Sequence, residues 1–220
     1  MYRAVLFDLD DTLYDLRAYW TGRLERAFTR VRAHYTLLDQ AALVQSAIQS
    51  KVYMAQMPDF LRTLEVDDEM LIAEVSEQYR LNWFAELELA EDARPVLSQL
   101  RQSFKLGLVT NGPPNTQRPK IERFGLSEWM DVIVVSGEAG VAKPDPAIFA
   151  LALAQLEVEP EEALYVGDSA ENDLCGAAAA GMASIWLNAR NEPLPPGVPP
   201  PLAVIRRLSE LPALVETQVV

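Results

Sequence analysis

Segments with strand character and segments with helix character alternate along the chain from residue 88 onward. The predicted strands are Lys105–Thr110, Asp131–Val135, Ala163–Val166, Ala183–Leu187 and Ala203–Ile205. The predicted helices are Glu91–Gln102, Pro119–Phe124, Ala147–Leu156, an alanine-rich stretch that ends near Gly181, and Ser209–Glu216. Alternation of this kind is typical of a parallel sheet covered by helices on both faces, so the chain is predicted to adopt an α/β fold.

The N-terminal part of the chain adds one strand and a long helical segment. The apolar run Ala4-Val5-Leu6-Phe7 has the composition of a buried strand of the same sheet. Apolar residues then recur every three or four positions from Leu16 to Tyr35. Similar periods occupy Ala41–Met54 and Met70–Phe84, with breaks or caps expected at Pro58 and Asp67-Asp68. We therefore expect a core of residues 1–14 and 88–220, interrupted by an all-helical insertion of residues 15–87.

Composition and charge argue against several classes of partner. Half of the 220 residues are apolar, which allows a sizeable core, and the net charge of −13 argues against binding nucleic acid through its phosphates. The single cysteine, Cys175, cannot form an internal disulfide, and we interpret it as a small packing residue. Neither a secretory signal nor an apolar stretch of membrane-spanning length is visible. The sequence thus predicts a cytoplasmic protein without nucleic-acid or membrane partners.

Polar residues follow four of the predicted strands at the point where each strand ends. Asp8 and Asp10 follow the first, Thr110-Asn111-Gly112 the second, Ser136-Gly137-Glu138 the third, and Asp168-Ser169 the fourth. Each of them alone is explained by a turn or a helix cap. Together they favour a functional site, because ligands of an open parallel sheet bind outside the carboxyl ends of its strands. Two neighbouring carboxylates such as Asp8 and Asp10 repel each other and need either a cation or a proton.

Two further residues extend this set. Lys143 lies in a loop restrained by Pro144, where it could offset carboxylate charge and bind a phosphate, although a solvated loop lysine is the plainer alternative. Asp173 comes five residues after Asp168, near the expected start of a helix. A capping role would explain it, and a role in orienting Lys143 or a metal-bound water is the more specific hypothesis.

With these residues the chain resembles the phosphatase branch of the haloacid dehalogenase superfamily over essentially its whole length. The match consists of Asp8-Leu9-Asp10-Asp11-Thr12, Thr110-Asn111, Lys143-Pro144, and Gly167-Asp168 with Asp173, in that order. The resemblance implies a Rossmann-like core with a helical cap inserted after the first motif. Dehalogenases of the superfamily lack the second aspartate of that motif, so Asp10 favours phosphoryl transfer over dehalogenation.

The resemblance also implies a mechanism that passes through an aspartyl-phosphate. Asp8 would attack phosphorus, and Asp10 would protonate the leaving oxygen and later accept a proton from water. Mg²⁺ would be held by the Asp8 and Asp168 carboxylates and by the backbone carbonyl of Asp10.

Binding of the phosphoryl group is assigned by the same resemblance. Thr110 and the backbone N–H of Asn111 would bind the phosphoryl oxygens, and Lys143 would add positive charge.

Substrate choice is expected to lie in the helical insertion. Arg17, Tyr19 and Trp20 lie closest in sequence to Asp10 and are the candidates for a leaving-group pocket. The first helix also carries a cluster of arginines, for which a solvated helix face is the favoured interpretation: Arg17, Arg23, Arg26, Arg30 and Arg32. His34, the only histidine, is interpreted as a surface or packing residue.

The stretch Thr110-Asn111-Gly112, followed by Thr116-Gln117-Arg118 and Lys120-Ile121-Glu122, is similar to N-acylneuraminate-9-phosphatase and pyrimidine-nucleotidase-like members of the superfamily. The favoured function is Mg²⁺-dependent hydrolysis of a small phosphorylated metabolite. A phosphomutase with the same chemistry and, less strongly, a non-catalytic binding scaffold remain alternatives, and both a monomer and a homodimer fit.

Overall fold

A computed structural model describes residues 1–36 and 38–216 of the chain. Its contacts divide the chain into two compact units. One unit is formed by Met1–Asp15 together with Glu88–Val220, and the other by Leu16–Leu87. We call them the core unit and the helical unit.

In the part of the helical unit that the structure describes, four helices pack around an apolar centre. They are α1 (Leu16–His34), α2 (Gln40–Gln49), α3 (Met57–Thr63) and α4 (Glu69–Arg80). Phe28 of α1 and Val75 of α4 are fully buried in this centre. The Asp68 carboxylate accepts hydrogen bonds from the backbone N–H groups of Met70 and Leu71, so the predicted cap at this position is confirmed.

The core unit is built on a sheet of six parallel strands. These are β1 (Ala4–Phe7), β2 (Lys105–Thr110), β3 (Val132–Val135), β4 (Ala163–Gly167), β5 (Ala183–Leu187) and β6 (Ala203–Ile205). Their order is β3-β2-β1-β4-β5-β6, which puts β1 between β2 and β4. All four residues of β1 are completely buried, as expected for a central parallel strand. The predicted α/β fold with a parallel sheet is confirmed.

The described residues of the core unit form six helices: α5 (Ala93–Leu100), α6 (Pro114–Phe124), α7 (Ser136–Ala139), α8 (Pro146–Leu156), α9 (Cys175–Ala179) and α10 (Leu211–Glu216). A π-helical segment, Ala170–Leu174, precedes α9. None of the helices within the described ranges has both the length and the apolar character needed to cross a membrane.

Several predicted boundaries were wrong. The helix predicted from Pro119 begins at Pro114 and contains Pro119 in its interior, because buried side chains on both sides of that proline keep the face continuous. The helix predicted over Ser209–Glu216 is split into a 3₁₀ turn, Leu208–Glu210, and α10.

Other predicted helices were too long. The helix predicted over Glu91–Gln102 is confined to α5. In the helical unit, α2 and α4 end well before Met54 and Phe84, and positive φ angles at Lys51 and Asn82 follow these ends.

Candidate active site

Asp8 lies at the end of the central strand β1 and forms an ion pair with a buried lysine. The Lys143 Nζ atom lies 2.6 Å from Asp8 Oδ1 and 2.7 Å from Asp173 Oδ1. Only 2% of the Lys143 side chain is exposed. A buried ammonium group needs such partners, and here two carboxylates provide them. The structure therefore brings together three predicted residues that are distant in sequence.

The backbone of Lys143 is held by Asn111, which follows β2. The Asn111 side-chain amide donates to the Lys143 carbonyl and accepts from the Lys143 N–H, both at 2.9 Å. The Tyr165 hydroxyl accepts a hydrogen bond from Lys143 Nζ at 2.9 Å and donates to the Val109 carbonyl at 3.0 Å. The position of the ammonium group is thus fixed from its backbone and from its side chain.

Asp173 is fully buried and lies in the π-helical segment before α9. Its Oδ2 atom accepts a hydrogen bond from the Ser169 N–H at 2.9 Å, while its Oδ1 atom faces Lys143. The approach to β4 is so close that a Cβ atom at Gly167 would lie 2.3 Å from Asp173 Oδ2. Glycine at this position is required for the aspartate to reach Lys143.

Asp168, which follows β4, forms a cluster of three acidic residues with Asp8 and Asp173. One carboxylate oxygen each of Asp8, Asp168 and Asp173 lies within 4.8 Å of the others. Among the described residues, none forms a hydrogen bond or ion pair with the Asp168 carboxylate. Burial, as the largest cause, and the neighbouring Asp8 and Asp173 charges together raise its pKa from 3.8 to about 8. Burial also raises the pKa of Asp8, although Lys143 opposes this.

This donor set fits a magnesium ion. Both oxygens of Asp173 are engaged by Lys143 and the Ser169 N–H, which leaves Asp8 Oδ2 and the Asp168 carboxylate as donors. Carboxylate oxygens are the protein ligands that Mg²⁺ prefers, and one lysine cannot balance three carboxylates.

The Asp10 side chain points to a different set of partners. Lys120 Nζ lies 2.7 Å from Asp10 Oδ1 and 3.0 Å from Asp10 Oδ2. Gln117 Nε2 donates to Asp10 Oδ2 at 3.0 Å, and the Tyr14 hydroxyl donates to Asp10 Oδ1. Lys120, Gln117 and Tyr14 therefore fix the orientation of the Asp10 carboxylate.

A cavity of about 190 Å³ unites the predicted residues of the core unit. Its lining includes Asp8, Asp10, Thr110, Asn111, Lys143 and Asp168. Such a cavity has room for a phosphoryl-sized group between a carboxylate nucleophile and several hydrogen-bond donors. The arrangement is suited to attack by Asp8 on an electrophile bound beside Asp10.

The family model for haloacid dehalogenase-like hydrolases matches residues 2–181, which is most of the chain. The chain belongs to the haloacid dehalogenase-like hydrolases. The glyceraldehyde 3-phosphate phosphatase of Methanopyrus kandleri is 37% identical over 194 residues, covering 84% of this chain and 83% of the relative. The N-acylneuraminate-9-phosphatase of Homo sapiens is 31% identical and covers 98% of this chain and 94% of the relative.

A solved structure of the family agrees with this assignment. The haloacid dehalogenase-type hydrolase YfnB from Bacillus subtilis, determined with bound magnesium, has a TM-score of 0.73 and 28% sequence identity. The comparison covers 97% of this chain and 98% of that one. Together with the relatives named as phosphatases, the match makes this protein a phosphatase-type hydrolase.

Sequence reasoning about this hydrolase missed Lys120, Gln117 and Tyr14 as site residues. Gln117 and Lys120 lie three positions apart on one face of α6, directly after the strand that carries Thr110. Both are buried although both are polar, with exposed fractions of 1% and 3%. The sequence offered only their helical spacing after a strand that ends in a site residue, and their burial is visible only in the structure.

The predicted substrate residues lie in the helical unit. Trp20 is buried, its Nε1 donates to the Tyr79 hydroxyl at 2.6 Å, and its ring stacks on Tyr53 at 4.7 Å. These contacts give Trp20 a packing role within this unit. The Tyr19 hydroxyl donates to the Trp83 carbonyl, and Arg17 is exposed. A leaving-group pocket formed by Arg17, Tyr19 and Trp20 stays a prediction.

The arginine cluster of α1 is mostly a solvated helix face, as interpreted. Arg26 pairs with Glu86 and Arg30 with Glu74, all four side chains being exposed. Arg23 differs, because it is buried and donates to the Tyr79 and Leu81 carbonyls. His34 is the last residue of α1 and is exposed.

Proposed function

We propose that this phosphatase hydrolyses small phosphorylated metabolites through a phosphoryl group carried transiently by Asp8. The observation that carries the proposal is the position of the Asp8 carboxylate in the cavity. Lys143 engages its Oδ1 atom at 2.6 Å, which leaves the second oxygen for attack or metal binding. A covalent intermediate on Asp8 divides one difficult displacement into two easier half-reactions.

In the first half-reaction an Asp8 oxygen attacks phosphorus, and a new O–P bond forms. The bond between phosphorus and the leaving oxygen breaks, and the Asp10 carboxyl gives its proton to that oxygen, so the alcohol leaves. In the second half-reaction water attacks phosphorus and gives a proton to Asp10. The bond to Asp8 breaks, phosphate leaves, and both carboxyl groups return to their starting states.

Three donors are proposed to bind the transferring phosphoryl group. These are the Thr110 hydroxyl, the backbone N–H of Asn111 and the Lys143 ammonium, all of which lie at the same cavity as Asp8. The phosphoryl group gains negative charge on its oxygens as it transfers, so donors fixed in advance stabilise it. Asp173 would keep Lys143 in place, since its Oδ1 lies 2.7 Å from Lys143 Nζ.

Mg²⁺ is the proposed cofactor, held by the Asp8 and Asp168 carboxylates and the Asp10 backbone carbonyl. When bound, it would reduce the repulsion between the Asp8 carboxylate and the phosphate. Support comes from the paired carboxylates without sufficient counter-charge and from the magnesium in the related YfnB structure.

Removal of the metal is predicted to abolish activity and lower stability. Phosphate release should be lost in EDTA and recover with added Mg²⁺. At a Mg²⁺ concentration about 100-fold above Kd, the Tm should rise by about 5–10 °C, because the ion binds only the folded protein. Asp168→Asn should abolish this rise. Asp145→Asn should retain it, because Asp145 caps α8 and an asparagine caps equally well. A rise of equal size in Asp168→Asn would exclude Asp168 as a ligand.

The test of the proposed function is phosphate release from a panel of phosphomonoesters. The relatives suggest glyceraldehyde 3-phosphate and N-acylneuraminate 9-phosphate, and a pyrimidine nucleoside monophosphate and a hexose phosphate widen the range. Steady release of phosphate from at least one of them supports the hydrolase. Transfer between positions of a sugar without release would show a phosphomutase, and no reaction at all would favour a binding scaffold.

Specificity is proposed to reside in the helical unit, Leu16–Leu87, acting as a cap. Within it, Arg17 is the preferred residue for contact with an anionic leaving group, since it is exposed on the first turn of α1.

A further inference from the structure

Two buried residues of α6, Lys120 and Gln117, contact the side chain of Asp10 from within the core unit. We infer that they are positioning residues, which orient the Asp10 carboxylate and the Thr110 hydroxyl as one assembly. The inference rests on the proposed function, in which Asp10 is the acid and base and Thr110 binds the phosphoryl group.

Lys120 places a buried positive charge beside Asp10, and packing alone would not require a charged side chain there. Its side chain is 3% exposed, and its Nζ atom contacts both Asp10 oxygens, at 2.7 and 3.0 Å. The same atom donates to Gln117 Oε1 at 2.7 Å. Desolvation of an ammonium group is unfavourable, and an apolar side chain would fill the space without that cost. Its contacts with two carboxylate oxygens restrict the rotation of the Asp10 side chain.

Lys120 also determines the orientation of the Gln117 amide. An ammonium group has only donors, so the amide atom facing it must be the oxygen. The amide nitrogen then faces Asp10 Oδ2 at 3.0 Å and Thr110 Oγ1 at 2.6 Å. Gln117 is 1% exposed, and both atoms of its amide group have partners.

This orientation has a direct consequence for Thr110. The Thr110 oxygen accepts the Gln117 N–H, so its own O–H is left to donate. Within the described ranges no acceptor receives it, and Thr110 lines the cavity beside Asp8. A phosphoryl oxygen in that cavity would supply the acceptor. The Gln117 amide thus links Asp10, the proposed acid and base, with the Thr110 hydroxyl, which donates a hydrogen bond to the phosphoryl group.

The turn after β2 has a glycine, Gly112, at the position where its backbone approaches the Gln117 side chain. Gly112 has a φ of +140°, and a Cβ atom there would lie 3.0 Å from Gln117 Cγ. A side chain at residue 112 would therefore press on Gln117, so this glycine and the glutamine form one local arrangement.

The first test compares two substrates in Lys120→Met. Protonation by Asp10 matters for a poor leaving group such as glycerol, and much less for nitrophenol, which leaves as an anion. We expect kcat/KM, which reports the steps up to departure of the alcohol, to fall about 10²-fold for glycerol phosphate and less than about tenfold for nitrophenyl phosphate. The later hydrolysis of the phosphoryl group on Asp8 is common to both substrates and does not enter kcat/KM. Arg118→Met is the matched control, because Arg118 lies on the same helix in an exposed pair with Glu138.

The second test is a double-mutant cycle with Asp10→Asn. If Lys120 acts through Asp10, Lys120→Met should add less than about twofold to the loss already caused by Asp10→Asn. Additive losses, equal losses of kcat/KM on both substrates, or wild-type rates in Lys120→Met would each overturn the inference. Wild-type rates in Asp10→Asn would instead overturn the proposed role of Asp10.

Gln117→Leu provides an independent variant of similar volume. This substitution removes the amide that orients the Thr110 hydroxyl and leaves Lys120 in place. Because Thr110 is proposed to bind the phosphoryl group, we expect KM for both phosphates to rise, in addition to a lower kcat for glycerol phosphate. If thermal unfolding shows that Lys120→Met does not fold, Gln117→Leu carries the test. Wild-type kinetics in a folded Gln117→Leu would contradict the link between Asp10 and Thr110.

Discussion

Asp8→Asn is expected to reduce kcat for phosphate release by at least about 10⁴-fold, whichever phosphomonoester is used. An amide oxygen is a far weaker nucleophile than a carboxylate, and the covalent step cannot proceed without one. Asparagine has the same shape as aspartate, so its oxygen can still accept a hydrogen bond from Lys143, now 2.6 Å from Asp8 Oδ1. The cavity should therefore persist, and binding of inorganic phosphate to the variant should remain measurable by calorimetry.

The control for this variant is Asp145→Asn, which makes the same chemical change at an exposed helix cap. It should retain wild-type kcat and KM. Near wild-type turnover in Asp8→Asn would exclude attack by Asp8 and favour direct attack by water.

Lys143→Met is expected to remove activity and to destabilise the folded protein as well. The lysine is 2% exposed and contacts the carboxylates of Asp8 and Asp173, which would lose their nearest counter-charge. Breaking a buried ion pair from one side costs about 3–5 kcal/mol in the free energy of unfolding. Urea unfolding of the metal-free protein measures this loss of stability. Phosphate release measures the activity that is lost when the Lys143 ammonium group no longer binds the phosphoryl group.

A second substitution separates the two effects of Lys143. In Lys143→Met with Asp173→Asn, one of the unpaired buried charges is removed, so part of the lost stability should return. Activity should not return, because no cation replaces the ammonium group beside Asp8. Recovery of activity in the double variant would show that Lys143 only balances Asp173 and takes no part in phosphoryl binding.

The positions of Asp8, Thr110 and Asp168 could be anticipated because strand ends can be located from apolar runs. In a parallel sheet the carboxyl ends lie at one edge, so residues more than 100 positions apart become neighbours without any knowledge of side-chain contacts. The fold class followed from the same alternation. Asp173 was recognised through the motif, while its contact with Lys143 depends on the close approach permitted by Gly167.

The contacts of Asp10 could not be anticipated in the same way. A proline is a common helix start, so the expected helix began at Pro119 and left Gln117 outside the buried face. With α6 beginning at Pro114, Gln117 and Lys120 share one face, and that face meets Asp10. Trp20 was singled out because it is close in sequence to Asp10, and its packing inside the helical unit is visible only in the structure.

The most direct test of the central claim is to trap the phosphoryl group in Asp10→Asn. This variant lacks the base that assists hydrolysis of the intermediate, whereas nitrophenol still leaves readily without an acid. We predict a burst of nitrophenol equal to the enzyme concentration, and one phosphoryl group on the peptide that contains Asp8 after acid quenching. Continued turnover with that peptide unmodified, or a phosphoryl group on another side chain, would contradict the account.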